Sequence, residues 1–303
     1  MGGVTASGKT ELSIAWAQKN NAEIISCDSV SFYRGLDIGS AKPTALERGK
    51  VKHHGLDLAD VSETFDVGKY HAYAKGITTQ LLSQQKKILV VGGSGFFMDG
   101  FLRPVVDSLD ISDSSRCRAE EIFSNDGLGG MLEALNPFNP NGLGDLDKHN
   151  PVRVLRALER CIETGKSLEE IRQTFEGMPL PYDGFSKNLI WLDRQDEDLR
   201  ERIQARTRKM IDQGIIEETK EALKLGMEQH PSLALSVGYR EVIRHLRDEG
   251  TVDELCDSIN RSTWQLVRKQ RKWFRKRFPA SSHHLILGKE QSNEEILSWV
   301  AHT

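Results

Sequence analysis

Gly3-Val4-Thr5-Ala6-Ser7-Gly8-Lys9-Thr10 satisfies the spacing G-x-x-x-x-G-K-[ST] at every fixed position. The residue types match a phosphate cradle. Gly3 and Gly8 let the backbone turn tightly and present its N–H groups to phosphate oxygens. Lys9 adds a point charge, and the Thr10 hydroxyl is a ligand type for Mg²⁺. The run Glu11-Leu12-Ser13-Ile14-Ala15-Trp16-Ala17 reads as a helix whose positive end faces the same anion. The motif specifies a di- or triphosphate and leaves open whether a nucleotide carries it.

Three further groups could act with this cradle. Asp28 follows the apolar run Ala22–Cys27, at the strand end where open α/β sheets bind ligands, and reads equally as a general base, a metal-binding carboxylate or a helix cap. Ser94 offers a hydroxyl inside the glycine cluster Gly92-Gly93-Ser94-Gly95 that ends the run from Lys87. Arg202 and Arg206 stand at i and i+4 on a helix beyond another strand end, where they either reach a diphosphate or form a solvated face. Farther on, seven of the ten residues from Arg268 to Arg277 are basic, with Trp273 and Phe274 interleaved. Against a whole-chain charge of −3, that focus reads as a contact for a phosphate backbone.

The elements that must hold these residues form an α/β pattern. Strands are expected at 22–27, from Lys87 and at 188–193, with helices at 66–85 and from Asp196, Ser236 and Asn150. Asn150-Pro151 has the form of an N-cap followed by proline at the first helical position, and places Arg153 and Arg156 on one face. Residues 104–150 are rich in Gly, Asn, Asp and Pro and are expected to break into short helices. The expected domains are a core at 1–107, a helical insertion at 108–186, and the second part of the core with basic helices at 187–303. Only Met1 and Gly2 precede Gly3, so no apolar run is available for the buried strand such a loop follows; residues ahead of Met1 are expected to supply it.

Cys27, Cys117, Cys161 and Cys256 form no C-x-x-C pair, which argues against zinc and against a disulfide framework and fits a reducing, cytoplasmic setting. No run is long and apolar enough to suggest a membrane span. His53-His54 suggests metal only superficially, because adjacent side chains diverge; a structural role is expected.

Taken in order, the motifs resemble the tRNA dimethylallyltransferase (tRNA isopentenyl transferase) family over nearly the whole chain. Thr5–Thr10 is similar to its T-A-x-G-K-[ST] loop, Ile25–Pro43 to its I-I-S-x-D-S and Y-R-G-L-D-I-G-[ST]-A-K-P segments, and His53-His54 to its H-H element. Val91–Gly95 resembles G-G-T-G, Val152–Glu159 R-x-x-R-A-L-E, and Asp193–Met210 D-R-x-x-L-x-x-R-I-x-x-R-x-x-x-M. Val237–Glu241 resembles I-G-Y-[KR]-E, and Arg268–Arg275 K-R-Q-x-x-W-x-R.

The resemblance implies a P-loop NTPase-like core, with a mostly parallel sheet flanked by helices, carrying an all-helical insertion. It implies transfer of a dimethylallyl group from dimethylallyl diphosphate to N6 of an adenosine next to the anticodon of tRNA, with release of diphosphate. The cradle Gly3, Val4, Thr5, Ala6, Ser7, Gly8, Lys9 and Thr10 then grips the donor's diphosphate, with Mg²⁺ at Thr10. Asp28 is implied as base, with Ser94 and Arg206 as further catalytic residues, and Arg206 is favoured over Arg202. Contacts to the anticodon stem-loop are implied for Asp28, Ser29, Val30, Ser31 and Ser94, and for Val152, Arg153 and Arg156. They are implied also for Gly238, Tyr239, Arg240, Arg268, Lys269, Gln270, Arg271, Trp273 and Arg275. Phe96, Phe97 or Met98 would wall the apolar tail, and the protein would be a monomer.

Four residues depart from the family pattern: Val4 for Pro, Ser31 for Gln, Ser94 for Thr and Trp264 for Arg. The competing readings are an adenylate isopentenyltransferase acting on free AMP, ADP or ATP, a P-loop nucleotide kinase, and an inactive tRNA-binding protein. The insertion and the basic helix argue against the first, which has no use for them. The intact Lys9, Thr10 and Asp28 argue against the last.

Overall fold

The computed structural model describes residues 1–105, 109–248, 250–289, 291 and 295–298. They fall into two compact units, one of Met1–Asp99 with Phe185–Thr303 and one of Gly100–Gly184. The expected boundary at 107/108 lies outside the described residues.

In the larger unit, strands and helices alternate as the apolar runs require. β1 (Gly2–Gly3), α1 (Lys9–Asn20), β2 (Ala22–Ser26), α2 (Ala45–Lys50), β3 (His53–His54), α3 (Val67–Ser83), β4 (Lys87–Val91) and α4 (Gly95–Asp99) make the first part. The three-stranded sheets β3-β2-β4 and β1-β5-β6, with β5 (Ile190–Arg194) and β6 (His283–Leu287), pair in parallel throughout. A parallel bridge between Gly2 and Gly92 joins them, giving the order β3-β2-β4-β1-β5-β6. The leading strand thus exists, as two glycines with Met1 and Val4 buried on either side. Gly2-Gly3 pairs with Trp191-Leu192, and the Gly92 N–H donates to Met1 O at 3.2 Å. Small residues suit this position: a Cβ on Gly3 would stand 2.5 Å from Leu192 O. β6, whose burial alternates along its five residues, adds to the edge beside β5.

The sheet order puts the ends of β1, β2 and β4 side by side, so the loops after them converge. Helices from the second part of the unit close that end: α8 (Asp196–Asp212), α9 (Ile215–Lys224), α10 (Pro231–Ala234), α11 (Tyr239–Asp248) and α12 (Val252–Arg277). α12 begins with a Thr251/Glu254 capping box and buries Leu255, Ile259, Val267 and Phe274 along one stripe. It packs along α8, where Val4, Leu199, Ile203 and Val267 form a small apolar cluster under the phosphate loop.

The smaller unit is helical, with its own core: α5 (Asp113–Leu135), α6 (Pro151–Thr164) and α7 (Leu168–Glu176) bury Met131, Leu135, Val154, Leu158 and Ile171 together. Here the expected break into shorter helices is seen in part, since Gly127 divides the stretch labelled α5 into two helical pieces. α5 is interrupted only at Gly127 (φ 62°, ψ −153°), and Pro137 opens a 3₁₀ turn just beyond it. Glycine takes this positive-φ conformation without the strain another residue would carry, and Met131 and Leu135 are buried beyond it. α6 starts as its sequence indicates, with Asn150 Oδ1 accepting from the Arg153 N–H. No helix among the described residues is long and apolar enough to cross a membrane.

Candidate active site

Gly8 takes φ 93° at the start of α1, a conformation that strains any side chain, and so turns the loop onto the helix axis. The loop's carbonyls are consumed by cations: Lys9 Nζ donates to Gly3 O (3.0 Å) and Val4 O (2.6 Å), Arg202 Nε to Ala6 O (2.9 Å) and Arg194 Nε to Ser7 O (3.0 Å). The backbone N–H groups of Ala6, Gly8, Lys9 and Thr10 donate to no acceptor among the described residues. Free amides at a helix N-terminus, ringed by positive side chains, make a site for an anion. Burial, and then the neighbouring Arg206, lower the Lys9 pKa to about 7, against the pull of Asp28 and Asp193.

Asp28 lies just past β2. Its Oδ1 accepts from the Val30 N–H (3.0 Å) and the Ser31 N–H (3.3 Å). Oδ2 accepts nothing among the described residues. The cap and the functional reading are therefore compatible, one on each oxygen. Ser31, where the resembled family has Gln, is buried and donates through Oγ to Asp28 O at 3.1 Å. Asp28, Lys9, Ser94, Arg202 and Arg206 line one cavity of ≈ 1100 Å³, with Ser29, Val30 and Ser31 on its wall. That volume exceeds what one small ligand needs and leaves room for two.

Arg206 sits across from Asp28 with Nη1 donating to Thr5 Oγ1 at 3.2 Å, its pKa lowered by burial and supported by Asp28. Arg202 reaches the loop too, so the structure brings both arginines to the cradle. The residues after β4 must approach closely: a Cβ on Gly92 would overlap the Cys27 carbonyl. Ser94 is thereby held beside the tip of β2, its N–H donating to Cys27 O at 3.4 Å. Of the expected apolar wall, Phe97 lines the cavity, Met98 is buried, and Phe96 is half exposed and outside the lining.

The residues expected at RNA divide into two sets. Arg268, Lys269 and Arg275 are exposed on α12, and Val152 and Arg153 on α6; Arg156 is part-exposed and pairs with Glu159 at 2.8 Å. The others are engaged inside the protein. Arg271 forks onto Asp193 (2.9 Å) and reaches Asp196 (2.7 Å). Tyr239 is fully buried and donates to Glu218 at 2.6 Å, while Gly238 donates its N–H to Glu241, which also pairs with Arg240. Trp273 packs on Gly95. Gln270 ties the two loops together, accepting from the Thr5 N–H at 2.8 Å and donating to Gly93 O at 3.0 Å.

Two supporting residues were not among the expected site residues. The Glu218 carboxylate accepts the N–H groups of Asp37, Ile38 and Gly39 and so pins the loop that forms one cavity wall. Lys42 is buried in the same loop between Asp37 and Asp57. The histidine pair is structural: His53 Nδ1 bonds Val51 O, and His54 Nε2 bonds Glu23 at 2.7 Å. Among the described residues, no group of three or more His, Cys, Asp and Glu is placed to hold a metal alone.

The IPP transferase family model matches residues 31–277. A tRNA dimethylallyltransferase of Opitutus terrae is 42% identical over 279 residues, spanning 92% of this chain and 90% of that protein. One from Thermotoga petrophila is 32% identical, over 91% and 88%. The solved tRNA isopentenylpyrophosphate transferase of Bacillus halodurans has TM-score 0.68 at 27% identity, with 99% of this chain and 94% of that one covered. A eukaryotic dimethylallyltransferase solved acting on tRNA shares the fold, with TM-score 0.83 at 21% identity over 99% and 76% of the chains.

Proposed function

The chain belongs to the IPP transferase family, and from that premise we propose that it is a tRNA dimethylallyltransferase. It moves the dimethylallyl group of dimethylallyl diphosphate to N6 of an adenosine next to the anticodon of tRNA. The observation that carries this reading is the shared cavity: Thr5–Thr10 of the anion cradle line it together with Asp28, one of whose oxygens is unused, with space for two substrates.

The adenine N6 lone pair is delocalised into the ring, so the amine attacks well only if a base takes its proton as the bond forms. N6 attacks the donor's C1, the C1–O bond breaks with its electron pair leaving on diphosphate, and the N6 proton passes to Asp28 Oδ2. The charge that develops on diphosphate is met by Lys9, Arg206, Arg202 and the free loop amides, preorganised before reaction. Ser94 stands where a hydroxyl can hold the reacting groups. The target base leaves the loop's stack to reach this cavity.

The residues fit a magnesium ion that relies on its substrate. The Thr10 hydroxyl lines the cavity beside Lys9 and has no hydrogen bond among the described residues, and no carboxylate cage competes with it. Mg²⁺ typically keeps waters and phosphate oxygens as most of its ligands. When bound, it would offset charge on the leaving diphosphate. A cytoplasmic, monomeric enzyme completes the reading.

Labelled dimethylallyl diphosphate offered to an anticodon stem-loop and to AMP side by side tests the assignment. Label in the stem-loop alone is expected. Label in AMP alone would make the protein an adenylate prenyltransferase.

Two further results are expected. Because burial lowers the Lys9 pKa to about 7 in the ligand-free cavity while a bound diphosphate favours its charged form, donor binding is tightest below that pH. It weakens above, as proton uptake accompanies binding, by up to about tenfold per pH unit. The donor KM of wild type should rise between about pH 7 and about pH 8.5, and that of Lys9→Arg should not. A flat wild-type profile would remove Lys9 as the titrating group. On the RNA side, Arg268→Glu with Lys269→Glu should weaken stem-loop binding and reduce the salt slope by about 1 to 2, without lowering Tm, since both side chains are exposed. Unchanged affinity would take this stretch of α12 out of the interface.

A further inference from the structure

On the face of α12 next to the cavity lies a second, smaller groove of ≈ 320 Å³ between α8 and α12, sharing Ile203 and Gln265 with the first. Its floor is Trp264, and the Arg200 guanidinium lies 3.8 Å from the indole centroid. Arg261 and Arg268 flank the ring one turn away on either side along α12. None of these three arginines forms an ion pair among the described residues, although Arg194 and Arg208 on the α8 side and Arg240 and Arg271 nearby all have carboxylate partners. No acidic side chain lines the groove. Asn260, also on its wall, has a buried amide oxygen that receives no hydrogen bond.

We propose that this groove binds an unpaired nucleotide of the RNA adjoining the target adenosine, its base stacked at the Trp264–Arg200 pair and its phosphates on Arg261 and Arg268. The inference rests on the RNA-modifying function proposed above. Bases stack on indole rings and on guanidinium planes alike, and the contact tolerates any base. Unpaired guanidinium groups around an aromatic floor match a strand that carries one negative charge per nucleotide. The buried Asn260 oxygen is an acceptor for an exocyclic amine or ring N–H. Continuity with the larger cavity matters most: a strand that places one base beside Asp28 has a neighbour that must go somewhere, and the shared Ile203–Gln265 edge leads here.

Stem-loop binding followed by tryptophan fluorescence tests this without requiring transfer. Wild-type protein should be quenched by the stem-loop, and Trp264→Phe should lose most of that quenching while binding within about threefold. Trp264→Ala and Arg261→Ala should each weaken stem-loop binding about tenfold, with donor KM unchanged. Trp264 packs beside Ile203, so the alanine variant is read together with Arg261→Ala, whose exposed side chain contributes nothing to folding. Quenching retained in Trp264→Phe, or stem-loop affinity unchanged in Arg261→Ala, would overturn the proposal. If these binding effects appear but wild type transfers no prenyl group to the stem-loop, the groove stands and the proposed reaction fails.

Discussion

Replacing Asp28 by alanine is expected to slow prenyl transfer about 1,000-fold, within the range a positioned general base contributes, and to change stem-loop affinity less than about threefold. The expectation follows from how the carboxylate is divided. Oδ1 holds the turn through the N–H groups of Val30 and Ser31, and Oδ2 is open to the cavity. The two roles separate by substitution. Asp28→Asn keeps an oxygen for the turn and loses the proton acceptor, so it should fold as wild type and be as slow as the alanine variant. Near-normal turnover in Asp28→Asn would show that the adenine proton leaves by another route. A rate loss in Asp28→Ala alone would show that the residue matters only for the turn.

Arg206→Met should lower kcat about 100- to 1,000-fold, the effect of removing one preorganised stabiliser of developing negative charge. The guanidinium is part-buried at the cavity wall, and its hydrogen bond among the described residues is to the neutral Thr5 hydroxyl, so the ligand-free fold carries its desolvation. The same variant should therefore keep or raise Tm. That combination is the signature of a residue retained for a ligand's charge. Arg206→Lys should recover part of the rate, since a lysine supplies charge without the planar fork. A fall in Tm with unchanged kcat would assign Arg206 to packing instead.

Local spacing carried the site's centre. The phosphate loop is eight contiguous residues, and Asp28 follows a strand whose apolar run is easily read, so both were visible before any fold was known. Side-chain destinations across the chain were not. Arg271 belongs to a basic run but is consumed by Asp193 and Asp196, which precede it by 78 and 75 residues. Glu218 sits in an ordinary amphipathic helix, and its work lies at Asp37–Gly39, 179 to 181 residues away. Gln270 is similar: the motif places it with RNA-facing residues, and the fold turns it toward Thr5 and Gly93. The leading strand was illegible for the opposite reason. Two glycines have no periodicity, and only their pairing with Trp191-Leu192 reveals them as a strand.

The alternation of exposed and buried side chains along α12 shows what composition can and cannot tell. Seven basic residues in ten announce an anion, yet burial of Val267 and Phe274 and the Arg271 fork decide which of them look outward. Arg268 and Lys269 remain free to meet a phosphate, and they lie between the catalytic cavity and the Trp264 groove.

The central claim is that the cradle of Gly3–Thr10 holds the diphosphate of a prenyl donor beside Asp28, and that no nucleotide is turned over there. A single-turnover reaction with labelled dimethylallyl diphosphate and an anticodon stem-loop, with and without ATP, measures it directly. One diphosphate released for each N6-prenylated adenosine formed, at a rate indifferent to ATP, is the predicted result. Hydrolysis of ATP in step with product, or phosphate appearing in place of diphosphate, would contradict it.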